Sequence, residues 1–318
     1  MIRAWMIGAD GVLQSPTPDE AAAAAAEGTA RIWIDFADEP EHCADQVLTR
    51  LDIHPLVRED MVVQINRPKV DNYGSYLYLV MHAASWDGDR PVLHEIDILL
   101  ADRFLITYHD GSPHALQAAH DILPRRPELL RDGPVHLLHF VLDTLVDGYL
   151  PIMDDVTERL DHLEEDLFTA RHQPSSRSVL MLKRGLSAMR RVVGPQRDTL
   201  LALTRDEFQA IPAEIRPYLR DVYDRLARIS DLLDSFRDEG ASLLELHTAL
   251  SANRLNEVIK RLTVIATIGL PLTIVTSWYG MNFDFAEYHF HHPWLYAAAI
   301  SSVVAALTWW LLKRSKWL

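Results

Sequence analysis

Apolar positions repeat in three different ways along this chain. Up to about residue 130 they come as short runs rich in β-branched and aromatic residues, bounded by Gly, Asp or Asn. These runs are Arg31–Phe36 (RIWIDF), Ser75–His82 (SYLYLVMH), His94–Leu100 (HEIDILL) and Phe104–Tyr108 (FLITY), and the pattern predicts strands. Only Ala101, Asp102 and Arg103 separate the last two, which predicts a hairpin. Helical spacing lies between them at Cys43–Leu51 and Pro55–Val63, so residues 1–130 are expected to form a mixed α/β domain with its own core. The alanine run Ala21–Ala26, beside Pro16, Pro18 and Asp19, reads as a helical or loose surface segment of little chemical interest.

Beyond Val135 the strand signals stop and long amphipathic patterns take over, over His136–His172, Ser176–Arg205 and a third segment that starts near Ile215. In the third, Val222, Leu226, Ile229, Leu233 and Phe236 recur at alternating spacings of four and three, a heptad seam. Pro212 and Pro217 suit a helix start, and no stop signal follows until Gly280. One unbroken helix of about 65 residues would be roughly 100 Å long at 1.5 Å per residue. It would carry cytoplasmic events directly into a bilayer.

The third kind of repetition is continuous. Leu262–Tyr279 and Trp294–Leu312 are uncharged and long enough to cross a hydrocarbon core of about 30 Å. Trp278, Tyr279, Trp294 and Tyr296 mark one interface, and Trp309, Trp310 and Trp317 the other. Lys260 and Arg261 precede the first span while Lys313, Arg314 and Lys316 follow the second, which places both termini in the cytoplasm. Met1–Gly11 lacks the charged and apolar regions of a signal or transit peptide, so the bulk of the chain is expected to stay cytoplasmic. The expected organisation is a cytoplasmic domain (1–130), a helical domain and stalk (131–261), a first transmembrane helix (262–279), an outer loop (280–293), a second transmembrane helix (294–312) and a basic tail (313–318). In class this is an α+β cytoplasmic domain plus a long helical stalk and two transmembrane helices, in the plasma (inner) membrane.

Two helices cannot enclose a water-filled path, so a conducting form must be an oligomer. Helical periodicity puts Asn256, Ile259, Leu262, Ala266, Leu270, Thr273 and Ser277 on one stripe of amides, hydroxyls and aliphatic groups without charge. Such a lining suits an ion that keeps its water, with Leu262 and Leu270 as apolar constrictions. The same stripe equally suits a helix–helix interface. Gly269 and Pro271 predict a bend.

Composition narrows the function. The chain has 318 residues, 45 acidic against 31 basic, and a formal net charge of −14. With no basic stripe this argues against nucleic acid and makes cations the natural ligands. Cys43 is the sole cysteine, which excludes a disulfide framework or multi-thiolate metal site and leaves it as a small packing residue. Asp154, Asp155, Glu158, Asp161, Glu164, Glu165 and Asp166 read as a solvated helix face or a cation reservoir. No nucleophile elbow, His-Glu-x-x-His pattern or phosphate loop is present, so no enzyme is expected.

Tyr279-Gly280-Met281-Asn282-Phe283 after the first span, followed by a short acidic loop, a last span and a basic end, resembles the CorA family of magnesium and cobalt channels. The resemblance extends to Arg67-Pro68-Lys69-Val70, to Leu219-Arg220-Asp221-Val222-Tyr223-Asp224, and to Leu262–Pro271 with Thr273. It implies a homopentameric funnel whose first spans line the pore, with Gly280, Met281 and Asn282 as the selectivity ring. It also implies regulation by intracellular magnesium bridging carboxylates between subunits, where Asp221 matches one position and Asp87, in Trp86-Asp87-Gly88-Asp89, is its expected partner. No tightly bound cofactor is implied; Mg2+, or Co2+ or Zn2+, would be substrate and regulator. Asp284 and Glu287 would concentrate cations at the outer mouth, unless they are merely solvated loop carboxylates. His289, His291 and His292 suit zinc better than magnesium, so a zinc transporter of the same family stands as the alternative. A non-conducting, membrane-anchored metal sensor is the second.

Overall fold

The computed structural model describes residues 1–37, 41–63, 66–87, 90–168, 176–281 and 292–315. It divides into two compact units, Met1–Leu244 and Glu245–Leu318, and the division falls inside one continuous helix.

A seven-stranded sheet organises the first unit. Its strands are β1 (Ile2–Gly8), β2 (Leu13–Gln14), β3 (Ala30–Ala37), β4 (Lys69–Asn72), β5 (Leu77–Asp87), β6 (Arg90–Leu100) and β7 (Phe104–His109), in the spatial order β2-β1-β3-β7-β6-β5-β4. Only β3 and β7 run parallel, with Ile34 opposite Ile106; the other neighbours are antiparallel. The four expected strands are present, and β6 and β7 form the expected hairpin.

Three helices, α1 (Pro18–Ala26), α2 (Glu41–Arg50) and α3 (Pro55–Val63), share one core with a face of this sheet. Ile32, Ile34 and Phe36 of β3, Tyr78 and Val80 of β5, and Ile106 of β7 meet Val47, Leu48, Val57 and Met61 there. The alanine run is not a surface segment. Ala21, Ala22 and Ala25 are buried, because a methyl side chain lets α1 approach closely. The helix starts on a capping box, with Glu20 N bonded to Thr17 Oγ1 (3.4 Å) and Thr17 N to Glu20 Oε2 (3.0 Å). The side chain of Cys43 lies outside the described residues.

The helical half comprises α4 (His114–Ile122), α5 (Glu128–Arg131), α6 (Pro134–Asp147), α7 (Leu150–Phe168), α8 (Ser176–Leu203), α9 (Arg216–Tyr279) and α10 (Pro293–Arg314). The pattern expected as one helix from His136 to His172 is two, broken at Gly148-Tyr149; 169–172 lie outside the described residues. Pro151 lacks an amide for continuing the ladder, and Tyr149 is fully buried with its hydroxyl donating to His82 O at 2.8 Å. That bond has a purpose at the sheet edge. Strand β4 begins its pairing with β5 only at Lys69, opposite Val80, so His82 extends past its cover. Gln196 Oε1 accepts from His82 N at 2.9 Å while Tyr149 takes the carbonyl, and both backbone groups are satisfied.

The long helix is continuous for 64 residues, through Gly269 and Pro271. Its heptad seam is used inside the chain: Leu219, Val222, Leu226, Ile229, Leu233, Phe236 and Leu243 are all buried in the first unit. The opposite face is left for something else.

Candidate ion pathway and regulatory surface

In the second unit the usual inside-outside rule is reversed. None of the most apolar window of α9 is buried, and only 6% of that of α10. A core helix of a soluble protein would be mostly covered, so these helices suit a lipid solvent. Their less exposed positions fall mainly on one stripe of each helix. On α9 this stripe is Val264, Ile268, Pro271, Leu272, Val275 and Tyr279, with Thr263 and Gly269 flanking it; on α10 it is Ala297, Ile300, Ser301, Val304, Ala305, Thr308 and Leu312. Small residues at Ala297, Ser301 and Ala305 permit close helix approach.

The expected pathway residues lie elsewhere. Asn256, Ile259, Leu262, Ala266, Leu270, Thr273 and Ser277 are all exposed, and at about 100° per residue they centre roughly half a turn from the less exposed stripe. Thr273 is oriented by its own backbone, since its hydroxyl donates to Gly269 O at 2.9 Å. What it presents outward is therefore an oxygen with free lone pairs, an acceptor.

The helix ends at Gly280, whose amide bonds to Thr276 O at 3.0 Å and Ser277 O at 3.2 Å, and Met281 N reaches Trp278 O at 3.3 Å. A Cβ on Gly280 would sit 3.2 Å from the Thr276 carbonyl, so glycine fits this exit best. Met281 is exposed. Asn282, Asp284, Glu287, His289 and His291 lie outside the described residues, and His292 is an exposed residue before α10, its ring 6.5 Å from that of Trp294.

In the first unit Asp221 is an exposed carboxylate, 3.3 Å from Arg225 one turn later on α9. The same guanidinium bonds Asp143 and Asp147 of α6. Asp87 ends β5, opposite Arg90, and its side chain lies outside the described residues. Most acidic residues of α7 form a solvated face: Asp154, Glu158, Asp161, Glu164 and Glu165 are exposed and Asp166 is half-buried, over a buried row of Ile152, Met153, Val156 and Leu160. Asp155 is held by Arg159 at 2.7 Å. Among the described residues no three His, Cys, Asp or Glu side chains are grouped to hold a metal within one chain.

Sequence spacing gave no sign of a second polar cluster, on the sheet face opposite α1–α3. Asp35 is buried, with His120 Nε2 at 2.7 Å, Thr107 Oγ1 at 2.5 Å and His109 Nε2 at 3.3 Å. The signal available was an acid in the middle of the apolar run RIWIDF. Asp35 and His120 resemble the acid–base couple of a hydrolase, but Trp5 Nε1 donates to His120 Nδ1 at 3.0 Å. Indole can only donate, so Nδ1 accepts and Nε2 carries the proton given to Asp35. The imidazole has no nitrogen left for general-base work. It is a structural clamp, further fixed by stacking on Trp33 at 4.2 Å.

The arrangement of an α+β unit and a long helix entering two exposed apolar spans is matched among known proteins. The family described as CorA-like Mg2+ transporter protein matches residues 29–314. The chain belongs to this family. The putative metal ion transporter YfjQ of Bacillus subtilis is 30% identical over 285 residues, covering 88% of each chain. The cobalt/magnesium transport protein CorA of Thermotoga maritima is 31% identical, with 84% of this chain and 77% of that protein covered. The complete CorA magnesium transporter structure from Methanocaldococcus jannaschii superposes with a TM-score of 0.85 at 19% identity, over 100% of this chain and 99% of that one. As a CorA-family protein the chain is a membrane protein and a divalent-cation transporter.

Proposed function

We propose that the chain forms a homopentameric channel of the plasma (inner) membrane, with both termini cytoplasmic, passing hydrated Mg2+, and Co2+, down its electrochemical gradient. The observation that carries the reading is the uncharged, hydroxyl-bearing stripe of α9, exposed throughout and turned away from the less exposed stripe of the same helix. Five such staves would line a polar path, and Asn282 would close it at the outer end. Magnesium dehydrates reluctantly, so its waters present hydrogens outward and the wall must accept them. Thr273 is prepared for that role. No nucleotide is required, because a dication crossing 100 mV gains about 4.6 kcal/mol, twice the roughly 2.3 kcal/mol per elementary charge.

Replacing Thr273 by Val keeps the shape and removes the acceptor. Mg2+ flux is expected to fall by about tenfold, the effect of about one hydrogen bond lost per ion in the barrier region. Flux within a factor of two of wild type would place Thr273 off the pathway.

One alternative has specific support, and a second is separated by the same experiment. The zinc transport protein ZntB of Yersinia enterocolitica is 24% identical over 100% of this chain, and His289, His291 and His292 offer zinc-preferring donors. A membrane-anchored sensor would share the cytoplasmic unit without conducting. Purified protein in liposomes, loaded with indicators for Mg2+, Co2+ and Zn2+, separates the three: Mg2+ entry is expected, zinc entry without Mg2+ would establish the zinc reading, and no flux would leave the sensor. Gating is tested in the same vesicles. Magnesium on the cytoplasmic side is expected to inhibit the wild type, and the Asp87→Ala/Asp221→Ala variant is expected to lose that inhibition.

A further inference from the structure

Asp221 is not a lone carboxylate. It shares one guanidinium with two carboxylates of another helix: Arg225 bonds Asp143 and Asp147, which stand one turn apart on α6, and lies 3.3 Å from Asp221. The three acids differ in access. Side-chain exposure is 33% for Asp143, 48% for Asp147 and 71% for Asp221, against 21% for Arg225. The cation is embedded between α6 and α9, and Asp221 is the carboxylate most open to an outside ion. On the flank, His139 packs edge-on to Tyr218 at 5.7 Å; burial pushes its pKa down, so it adds little positive charge.

We propose that Arg225 is a built-in competitor for the regulatory divalent cation, a tethered monovalent charge that occupies Asp221 when cytoplasmic metal is scarce and sets the concentration at which metal can displace it. The inference rests on Asp221 being the gating carboxylate. A metal ion bound at Asp221 would lie within about 5 Å of the guanidinium, where repulsion between a single and a double charge weakens binding by about tenfold even in a water-like dielectric. A guanidinium held by Asp143 and Asp147 cannot swing far away. The repulsion is therefore a fixed property of the site. Its consequence is a channel that stays open to higher cytoplasmic metal than an uncharged residue at 225 would allow.

The test uses the full chain, with Mg2+ as the probe, in two readouts: the half-inhibitory cytoplasmic Mg2+ concentration in proteoliposomes, and the Mg2+ midpoint for protection against limited proteolysis in detergent. Arg225→Gln is expected to lower both midpoints about tenfold, and Asp221→Asn to raise both. The double variant is expected to match Asp221→Asn. If Asp221→Asn shifts the midpoints but Arg225→Gln leaves them unchanged or raises them, Arg225 is no competitor and the gating role of Asp221 stands. If Asp221→Asn shifts neither, the gating reading falls and this inference with it. Thermal unfolding without divalent ions monitors folding. Should Arg225→Gln fail to fold, Arg225→Lys keeps a charge but loses the fork that spans both helices; its midpoints are expected to fall two- to fourfold, and unchanged or higher values overturn the proposal.

Discussion

Asn282→Leu is expected to reduce Mg2+ flux at least a hundredfold while leaving the oligomer intact by size-exclusion chromatography. The side chains have similar volume, so the change is mainly chemical. A carboxamide both accepts and donates hydrogen bonds, and a ring of them can exchange contacts with the waters of an ion that keeps its hydration shell. Leucine offers neither. In the proposed pentamer five subunits would each lose a contact of about 0.5–1.5 kcal/mol, so the barrier would rise by several kcal/mol, and every 1.36 kcal/mol is tenfold in rate. Asn282→Asp behaves differently, because five added charges hold the ion more tightly and conduction needs exit as well as entry. It should bind Mg2+ more strongly and discriminate less among divalent ions. Asn282→Leu retaining flux within threefold of wild type would remove Asn282 from the selectivity ring.

The parts of this fold legible in sequence are those whose signal is local. Strand β3 is legible because Ile32, Ile34 and Phe36 alternate in a β-branched and aromatic run, and helix α9 because its heptads run into an uncharged span without a stop. Strand β1 is not legible although Ile2–Gly8 is largely apolar, since its pairing with β3 lies entirely in tertiary contact. Strand β4 is four residues long with Lys69 and Asp71 among them, and an edge strand gains from such charge. The burial of the alanine helix is hidden for a different reason. Alanine carries too little apolar surface to announce burial, yet it is what close packing of α1 requires.

The candidate site divides along the same line. Gly280, Met281 and the stripe from Leu262 to Ser277 follow from helical period and position. The cradle of Arg225 does not, because Asp143 and Asp147 are 82 and 78 residues away in sequence. Only the spacing of four between Asp221 and Arg225 points to a resident partner for Asp221. The Asp35 cluster is less legible still, joining β1, β3, β7 and α4 across as many as 115 residues.

That cluster leads to the largest expected loss of stability. Asp35 accepts from His120 Nε2 and Thr107 Oγ1, while Trp33 Nε1 donates to Thr107 at 3.1 Å and Trp5 Nε1 to His120. Burial alone would raise the Asp35 pKa, but contact with His109 and His120, the charge of His109 and the Thr107 hydroxyl outweigh it and hold it far below the ordinary 3.8. Asp35→Ala leaves the His120 N–H and the Thr107 hydroxyl without their acceptor and His109 without its counter-charge. Breaking one side of a buried ionic network costs about 3–5 kcal/mol. For a unit of this size that is a drop of roughly 10 °C in unfolding midpoint. Asp35→Asn keeps an acceptor oxygen and should lose less. The pH dependence has a definite sign: with the folded pKa depressed, the stabilisation is complete above the unfolded value and fades as pH falls below about 4 toward the folded one. Thermal unfolding of the full chain in detergent, at pH 7 and across the acid range, provides the comparison. The wild type should lose its advantage over Asp35→Asn as the pH drops. An Asp35→Ala midpoint within 2 °C of wild type at pH 7 would mean that the clamp between β1, β3, β7 and α4 is held by packing alone.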